Sequence, residues 1–170
     1  MRIGYTVVPC PLGRLLVGAT ERGISAVYLG DSCEKLEAAL RAEYPQAEIH
    51  RDTNGLNRWV TAVLRQLRGK PRGTDLPLDV QATAFQQRVW EALRRIRRGT
   101  TRTYSQIAKS LGKPKATRAV ARACATNRVA VVIPCHRVVR EDGNLAGYRW
   151  GLERKRALLE NERSAAGEDL

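Results

Sequence analysis

Apolar and polar residues alternate in three short runs at the start of the chain: Ile3, Tyr5 and Val7, then Leu15, Val17 and Ala19, then Ile24, Ala26 and Tyr28. Pro11-Leu12-Gly13 and Glu21-Arg22-Gly23 separate the runs, so the pattern predicts a three-stranded antiparallel meander. The spacing then changes from two to between three and four. Asp31 with Glu34 forms a capping-box pattern ahead of Leu36, Ala39, Leu40 and Tyr44, which predicts a helix. A short strand over Glu48–Arg51 follows. Thr53 is the expected cap of a second helix, whose apolar face is Leu56, Val60, Val63, Leu64 and Leu67. Gly69 to Gly73, with Pro71 inside, reads as a loop.

Beyond it the pattern is helical. Thr83 and Gln86 form a capping box before the stripe Phe85, Val89, Leu93 and Ile96, and Gly99 is the expected stop. Thr103 and Gln106 form another, opening a short helix through Leu111. Gly112-Lys113-Pro114 turns the chain into a helix from about Lys115 to Thr126. Two short helices around a glycine-containing turn suggest a helix-turn-helix. The second carries Ala116, Thr117, Ala119, Ala121, Ala123 and Ala125, with Arg118 and Arg122 between them. Small side chains suit either close approach to another surface or tight internal packing. Val131, Val132 and Ile133 read as a buried segment that Pro134 stops. A polar loop, Val139 to Gly147, leads to a last helix from about Gly151 past Glu162. Glu162 shares a face with Leu158 and Leu159, where a carboxylate is costly without a partner. The expected fold is an α/β part over residues 1–80, a small antiparallel sheet with helices serving as scaffold, and a mostly helical part over 81–170.

Charge adds a functional hint. Of the formal net charge of +13, residues 1–85 carry +2 and residues 86–170 carry +11. That asymmetry suggests a polyanion met by the second half, although a solubilising surface would also produce it. The four cysteines (Cys10, Cys33, Cys124 and Cys135) show no CxxC spacing, so reduced thiols in a cytoplasmic setting are expected. Cys10, Cys33 and His50 do not make a recognisable ligand set, and no zinc or other metal is expected. No signal peptide and no apolar run of membrane length occurs, so no membrane partner is expected.

The chemistry concentrates where Cys135, His136 and Arg137 follow one another. An imidazole and a guanidinium beside a thiol are expected to lower its pKa from about 8.5. Neighbouring side chains point apart, so a water between Cys135 and His136 is the easier geometry. A bare Cys-His pair also suits a buried inert thiol.

The wider stretch is more specific. Ile133-Pro134-Cys135-His136-Arg137-Val138, preceded by Asn127 and followed by Gly147-Tyr148-Arg149, resembles the active-site stretch of the O6-alkylguanine-DNA alkyltransferases. The likeness is strong from Thr83 to Glu162, looser before it, and most marked toward the bacterial adaptive-response branch. Where many members carry Pro-x-Gly, this chain has Arg97-Arg98-Gly99. The resemblance implies a ribonuclease-H-like first part and a helix-turn-helix used in the minor groove of double-stranded DNA. It implies one irreversible transfer of an alkyl group from O6 of guanine to Cys135, with no cofactor. Glu162 would orient His136, which draws the Cys135 proton through water, and Tyr104 would donate toward N3 of the leaving base. Arg118 would fill the gap left by a flipped-out nucleotide, with Tyr104, Ser105, Lys113, Ala116, Thr117, Arg122 and Gln86 also at the DNA. Val138, Tyr148, Arg149 and Cys124 would form the guanine pocket, and Asn127 would tie the active-site turn together. A monomer is expected.

Two other classes compete. A non-catalytic module that marks alkyl lesions would share the basic half and the helix-turn-helix but lack the acceptor thiol, and this chain keeps Cys135. A cysteine redox sensor would need a resolving cysteine, for which there is no pattern. Alkyl-size preference, activity on O4-alkylthymine and cooperativity on DNA are open at this level.

Overall fold

A computed structural model describes residues 1–70 and 76–168, with side chains through 165. The expected loop at 69–73 therefore lies outside the described residues from Pro71 onward. The chain forms two compact units, one of residues 1–80 and 128–132, the other of 81–127 and 133 onward.

In the first unit β1 (Arg2–Cys10), β2 (Gly13–Thr20) and β3 (Gly23–Gly30) form the predicted antiparallel meander. β4 (Glu48–Arg51) joins the free edge of β1 in parallel, giving the order β3-β2-β1-β4. Alternation understates the burial of β2 and β3. Leu15, Leu16 and Val17 are all fully buried, as are Ile24, Ala26, Val27 and Tyr28, so β2 and β3 are covered on both faces. Gly23, at φ 155°, leads β3 past Pro77, and a Cβ there would collide with the Pro77 carbonyl.

Both helix starts in this unit differ from expectation. α1 (Cys33–Glu43) is capped by Ser32, not Asp31: its hydroxyl accepts from Lys35 N at 3.2 Å. α2 (Asn57–Leu67) begins after Leu56 without a side-chain cap, so Thr53 does not cap it. Asp52 organises the preceding turn instead, its Oδ1 accepting from the amides of Asn54 and Gly55 at 3.3 and 2.8 Å. Residues 128–132 lie along β3, where Val27 N donates to Arg128 O at 2.9 Å and Ala130 N to Val27 O at 3.1 Å. The apolar run ending at Ile133 is buried as expected but turns sharply. Val132 N donates to Ala130 O at 2.8 Å around Val131, a β-branched residue held at φ 72°.

The second unit is mainly helical. α3 (Ala84–Arg94) carries the expected Thr83–Gln86 capping box. It ends at Arg94, earlier than Gly99, through tightening bonds from Arg95 N to Ala92 O and from Ile96 N to Leu93 O. Gly99, at φ 85°, belongs to the following turn, closed by Thr100 N donating to Arg97 O at 3.0 Å. β5 (Arg102–Thr103) pairs in parallel with β6 (Val138–Val139). Thr103 also caps α4 (Tyr104–Ser110) in a second complete capping box. Gly112 at φ 73° turns the chain toward α5 (Thr117–Ala125), completing the helix-turn-helix. Val120, Ala123 and Cys124 are buried, and Trp90 on α3 donates its indole N–H to Ala123 O at 3.0 Å. Arg118, Ala119, Arg122 and Ala125 are exposed, so the alanine-rich helix presents a small-residue surface as well as packing inward. α6 (Leu152–Glu168) buries Leu158 and Leu159.

Candidate active site

Local geometry sets the orientation of the reactive residues. Pro134, at φ −82° and ψ 62°, makes an inverse γ-turn closed by Cys135 N donating to Ile133 O at 2.8 Å. The chain then enters one 3₁₀ turn, Cys135–Arg137, which sends the three side chains in different directions. Cys135 lies on the wall of an open cavity of about 1040 Å³, lined also by Tyr104, Arg118, Cys124, Tyr148 and Arg149. Asn127, 2 % exposed, donates its side-chain N–H to Ile133 O at 2.8 Å and to Cys135 Sγ at 3.2 Å. One buried amide thus holds both the turn and the sulfur.

Behind the cysteine, His136 is fully buried and its Nε2 lies 2.7 Å from Glu162 Oε1. Glu162 in turn receives Arg137 through two bonds, Nε to Oε2 at 3.0 Å and Nη2 to Oε1 at 2.9 Å. Arg137 Nη1 donates to Ile96 O at 2.9 Å. Burial alone would raise the Glu162 carboxyl, but the bonds from His136 and Arg137 outweigh it and hold the group at about 2. Burial lowers the His136 pKa despite the carboxylate, so the imidazole rests neutral at pH 7. A carboxylate at Nε2 requires the proton there, which leaves Nδ1 as the basic nitrogen. Nδ1 is buried and has no hydrogen-bond partner among the described residues.

The expected lowering of the Cys135 pKa is corrected by this geometry. Burial pushes the thiol up, with the Asn127 bond and the charges of Lys155 and Arg149 opposing it. Arg137, two residues along the chain, is bonded to Glu162 and to Ile96 O. The resting group is a thiol.

Other expected residues divide by location. Tyr104, Ser105, Thr117, Arg118, Cys124, Tyr148 and Arg149 line the Cys135 cavity. Lys113, Ala116 and Arg122 do not line it, and neither does Gln86. The Gln86 side chain accepts from Thr83 N and donates to Thr126 Oγ1 at 3.1 Å. Val138 is fully buried outside the lining, and its carbonyl accepts from Lys155 Nζ at 2.7 Å. Burial, and the neighbouring Cys124 and Cys135, push the Tyr104 phenol up to about 12, so it keeps its proton at neutral pH.

Sequence reasoning missed Arg137 as the second partner of Glu162, and it missed Lys155. Lys155 is 1 % exposed and donates to the carbonyls of Val138, Leu145 and Gly147, pinning both ends of the loop that edges the cavity. A helical stripe of Lys155, Leu158, Leu159 and Glu162 is the signal that would have found it.

Among the described residues no helix is long and apolar enough to cross a membrane. Residues 3–80 match the ribonuclease-like domain of 6-O-methylguanine DNA methyltransferase, and residues 84–164 match its DNA binding domain. The Escherichia coli (strain K12) bifunctional transcriptional activator/DNA repair enzyme Ada is 48% identical over 162 residues, covering 95% of this chain and 46% of Ada. The chain thus spans about half the length of the Ada relatives it matches. A methylated-DNA–protein-cysteine methyltransferase of Methanosarcina barkeri is 38% identical over 93% of this chain and 96% of its own length. Among solved structures, Mycobacterium tuberculosis O6-methylguanine methyltransferase superimposes with a TM-score of 0.81 at 34% identity, covering 96% of this chain and 94% of that one. The M. tuberculosis OGT solved in complex with DNA gives 0.80 at 32% identity, over 97% and 94%. On sequence and fold together, the chain belongs to the 6-O-methylguanine DNA methyltransferase family.

Proposed function

We propose that this chain repairs alkylated DNA directly, transferring the alkyl group from O6 of guanine to Cys135 once per molecule. The observation that carries the reading is the placement of Cys135: its thiol faces an open cavity while a neutral histidine, oriented by a buried carboxylate, stands behind it. Both features are needed for an activated nucleophile.

The step is a displacement at saturated carbon. Cys135 loses its proton through a water to His136 Nδ1, and Glu162 stabilises the imidazolium that forms. Asn127 donates to the developing thiolate. The sulfur then bonds to the alkyl carbon, the C–O6 bond breaks, and its electron pair leaves with the purine. Tyr104, still protonated at neutral pH, donates toward N3 and offsets the charge gathering there. Because a thioether is not readily hydrolysed, the acceptor is consumed.

The reacting carbon is stacked inside a duplex, so the nucleotide must be extruded. Exposed Arg118 on the cavity rim supports a role in filling the gap. Ser105 and Thr117 support backbone contacts beside it, with Lys113, Ala116 and Arg122 further along the helix-turn-helix. Tyr148, Arg149 and Cys124 would enclose the base. The bacterial and archaeal relatives support a cytoplasmic setting, and the reading requires only a monomer. Retention of Cys135 disfavours the non-catalytic alternative. Incubation with duplex DNA containing O6-methylguanine, followed by intact-mass measurement, tests the proposal. One added methyl group, mapped to the Cys135 peptide, is expected. An unmodified protein, or an adduct on Cys124, would overturn it.

A further inference from the structure

A second hollow in the helical unit, of about 350 Å³, shares no lining residue with the Cys135 cavity. Its floor includes Ile96 and Ile107, 6 % and 4 % exposed. Its rim carries three exposed arginines, Arg88 on α3, Arg95 one residue past the end of α3 and Arg102 on β5, against one carboxylate, Glu91. Arg88 is fixed in place, its Nη2 donating to Leu111 O at 2.8 Å. The guanidinium groups of Arg95 and Arg102 make no hydrogen bond or ion pair among the described residues. The displacement of a base requires none of these groups.

We propose that this hollow docks a short acidic segment of a partner protein, an apolar side chain on the isoleucine floor and carboxylates on the arginine rim. Two features favour a peptide over a nucleic-acid backbone. A phosphate-tracking surface needs cations but no apolar floor, whereas here the floor is recessed between them. The volume also suits one or two side chains, not a duplex. Guanidinium forks recognise carboxylates through paired bonds, so a rim of arginines without lysine fits such a segment.

The full chain, isotopically labelled, is titrated with the peptide acetyl-Asp-Glu-Leu-Leu-Asp-Glu-amide and followed by amide chemical shifts. Saturable movement of the Arg95, Ile96 and Ile107 amides is expected. Arg95→Glu with Arg102→Glu should weaken binding by about tenfold or more, since each rim pair contributes modestly. Replacing both leucines of the peptide by serine should weaken it as well. Arg95→Lys with Arg102→Lys keeps the charge and controls for folding, and the charge-reversed protein should still transfer alkyl groups to Cys135. If the reversed protein does not fold, the two peptides on the parent chain decide. No saturable shift would overturn the proposal. So would inorganic phosphate or duplex DNA moving the same amides as strongly as the peptide, which would reveal a plain anion or nucleic-acid site.

Discussion

His136 donates its Nε2 hydrogen to Glu162 across 2.7 Å, joining residues 26 positions apart in a buried site. Substituting Glu162→Gln keeps the size but removes the charge that stabilises imidazolium, and its amide nitrogen, a donor, cannot accept from Arg137 Nε as Oε2 of the carboxylate does. Single-turnover transfer should slow by about tenfold or more. Affinity for a lesion-containing duplex should stay within a factor of about two, because Glu162 lies outside the cavity lining. Equal transfer rates in mutant and parent would refute the proposed relay.

Acid should destabilise the protein in two stages. His136 has a folded pKa below its ordinary 6.5, so the unfolded chain binds the extra proton first and stability falls once pH drops below that value. Glu162 has a folded pKa of about 2 against an ordinary 4.5, so its contribution is complete above 4.5 and is lost between 4.5 and 2. Urea denaturation across pH 8 to about 3 measures both limbs. Glu162→Gln should flatten the lower one; an unchanged profile would show that the pair does not govern acid stability.

Removing the Asn127 amide tests the link between turn and sulfur. Asn127→Ala removes one of the two donors to Ile133 O, leaving only the Cys135 amide, and takes the donor from the Cys135 sulfur; it should cost about 2 kcal/mol of stability. The pH at which Cys135 becomes reactive toward iodoacetamide should rise, since a bond that favours the thiolate is lost. A fall, or no change alongside normal stability, would contradict this role.

Arg118→Ala separates searching from flipping. It deletes one exposed charge, so the salt dependence of undamaged-duplex binding should shrink by about one unit of slope. Repair of a paired lesion should suffer more, because extruding the base costs a few kcal/mol. The defect should lessen on single-stranded DNA and vanish on free O6-alkylguanine. Equal defects on all three substrates would assign Arg118 to the fold or the chemistry.

What was legible in the sequence was what is local or carried by the family motif. The Thr83–Gln86 and Thr103–Gln106 boxes close within three residues, and both formed as written. The cap at Ser32 was misplaced by one position because Asp31 and Ser32 are both good caps and pattern alone does not choose between them. The burial of both faces of β2 and β3 was hidden because it depends on what covers the sheet. The same holds for the site. The motif singled out Cys135, His136 and Glu162 as candidates, but the burial that raises the Cys135 thiol and the engagement of Arg137 by Glu162 are tertiary facts, so the cations near it in sequence predict the wrong direction for its pKa.

The return of residues 128–132 to the edge of β3 also bears on how such a chain can be inherited and rearranged. The first unit draws on two separate stretches of sequence: a single cut near residue 80 would strip Arg128 O and the Ala130 amide from Val27, leaving that part of the β3 edge unpaired. It would also leave Val129 and Ala130, both buried here, on a fragment without their sheet. Recombination between relatives at a single junction near residue 80 therefore separates the strip from the sheet it completes. A viable crossover must either carry the 128–132 strip with the sheet it completes or preserve its fit to the incoming strand, which couples the sequence just before the Cys135 turn to that of a strand a hundred residues earlier.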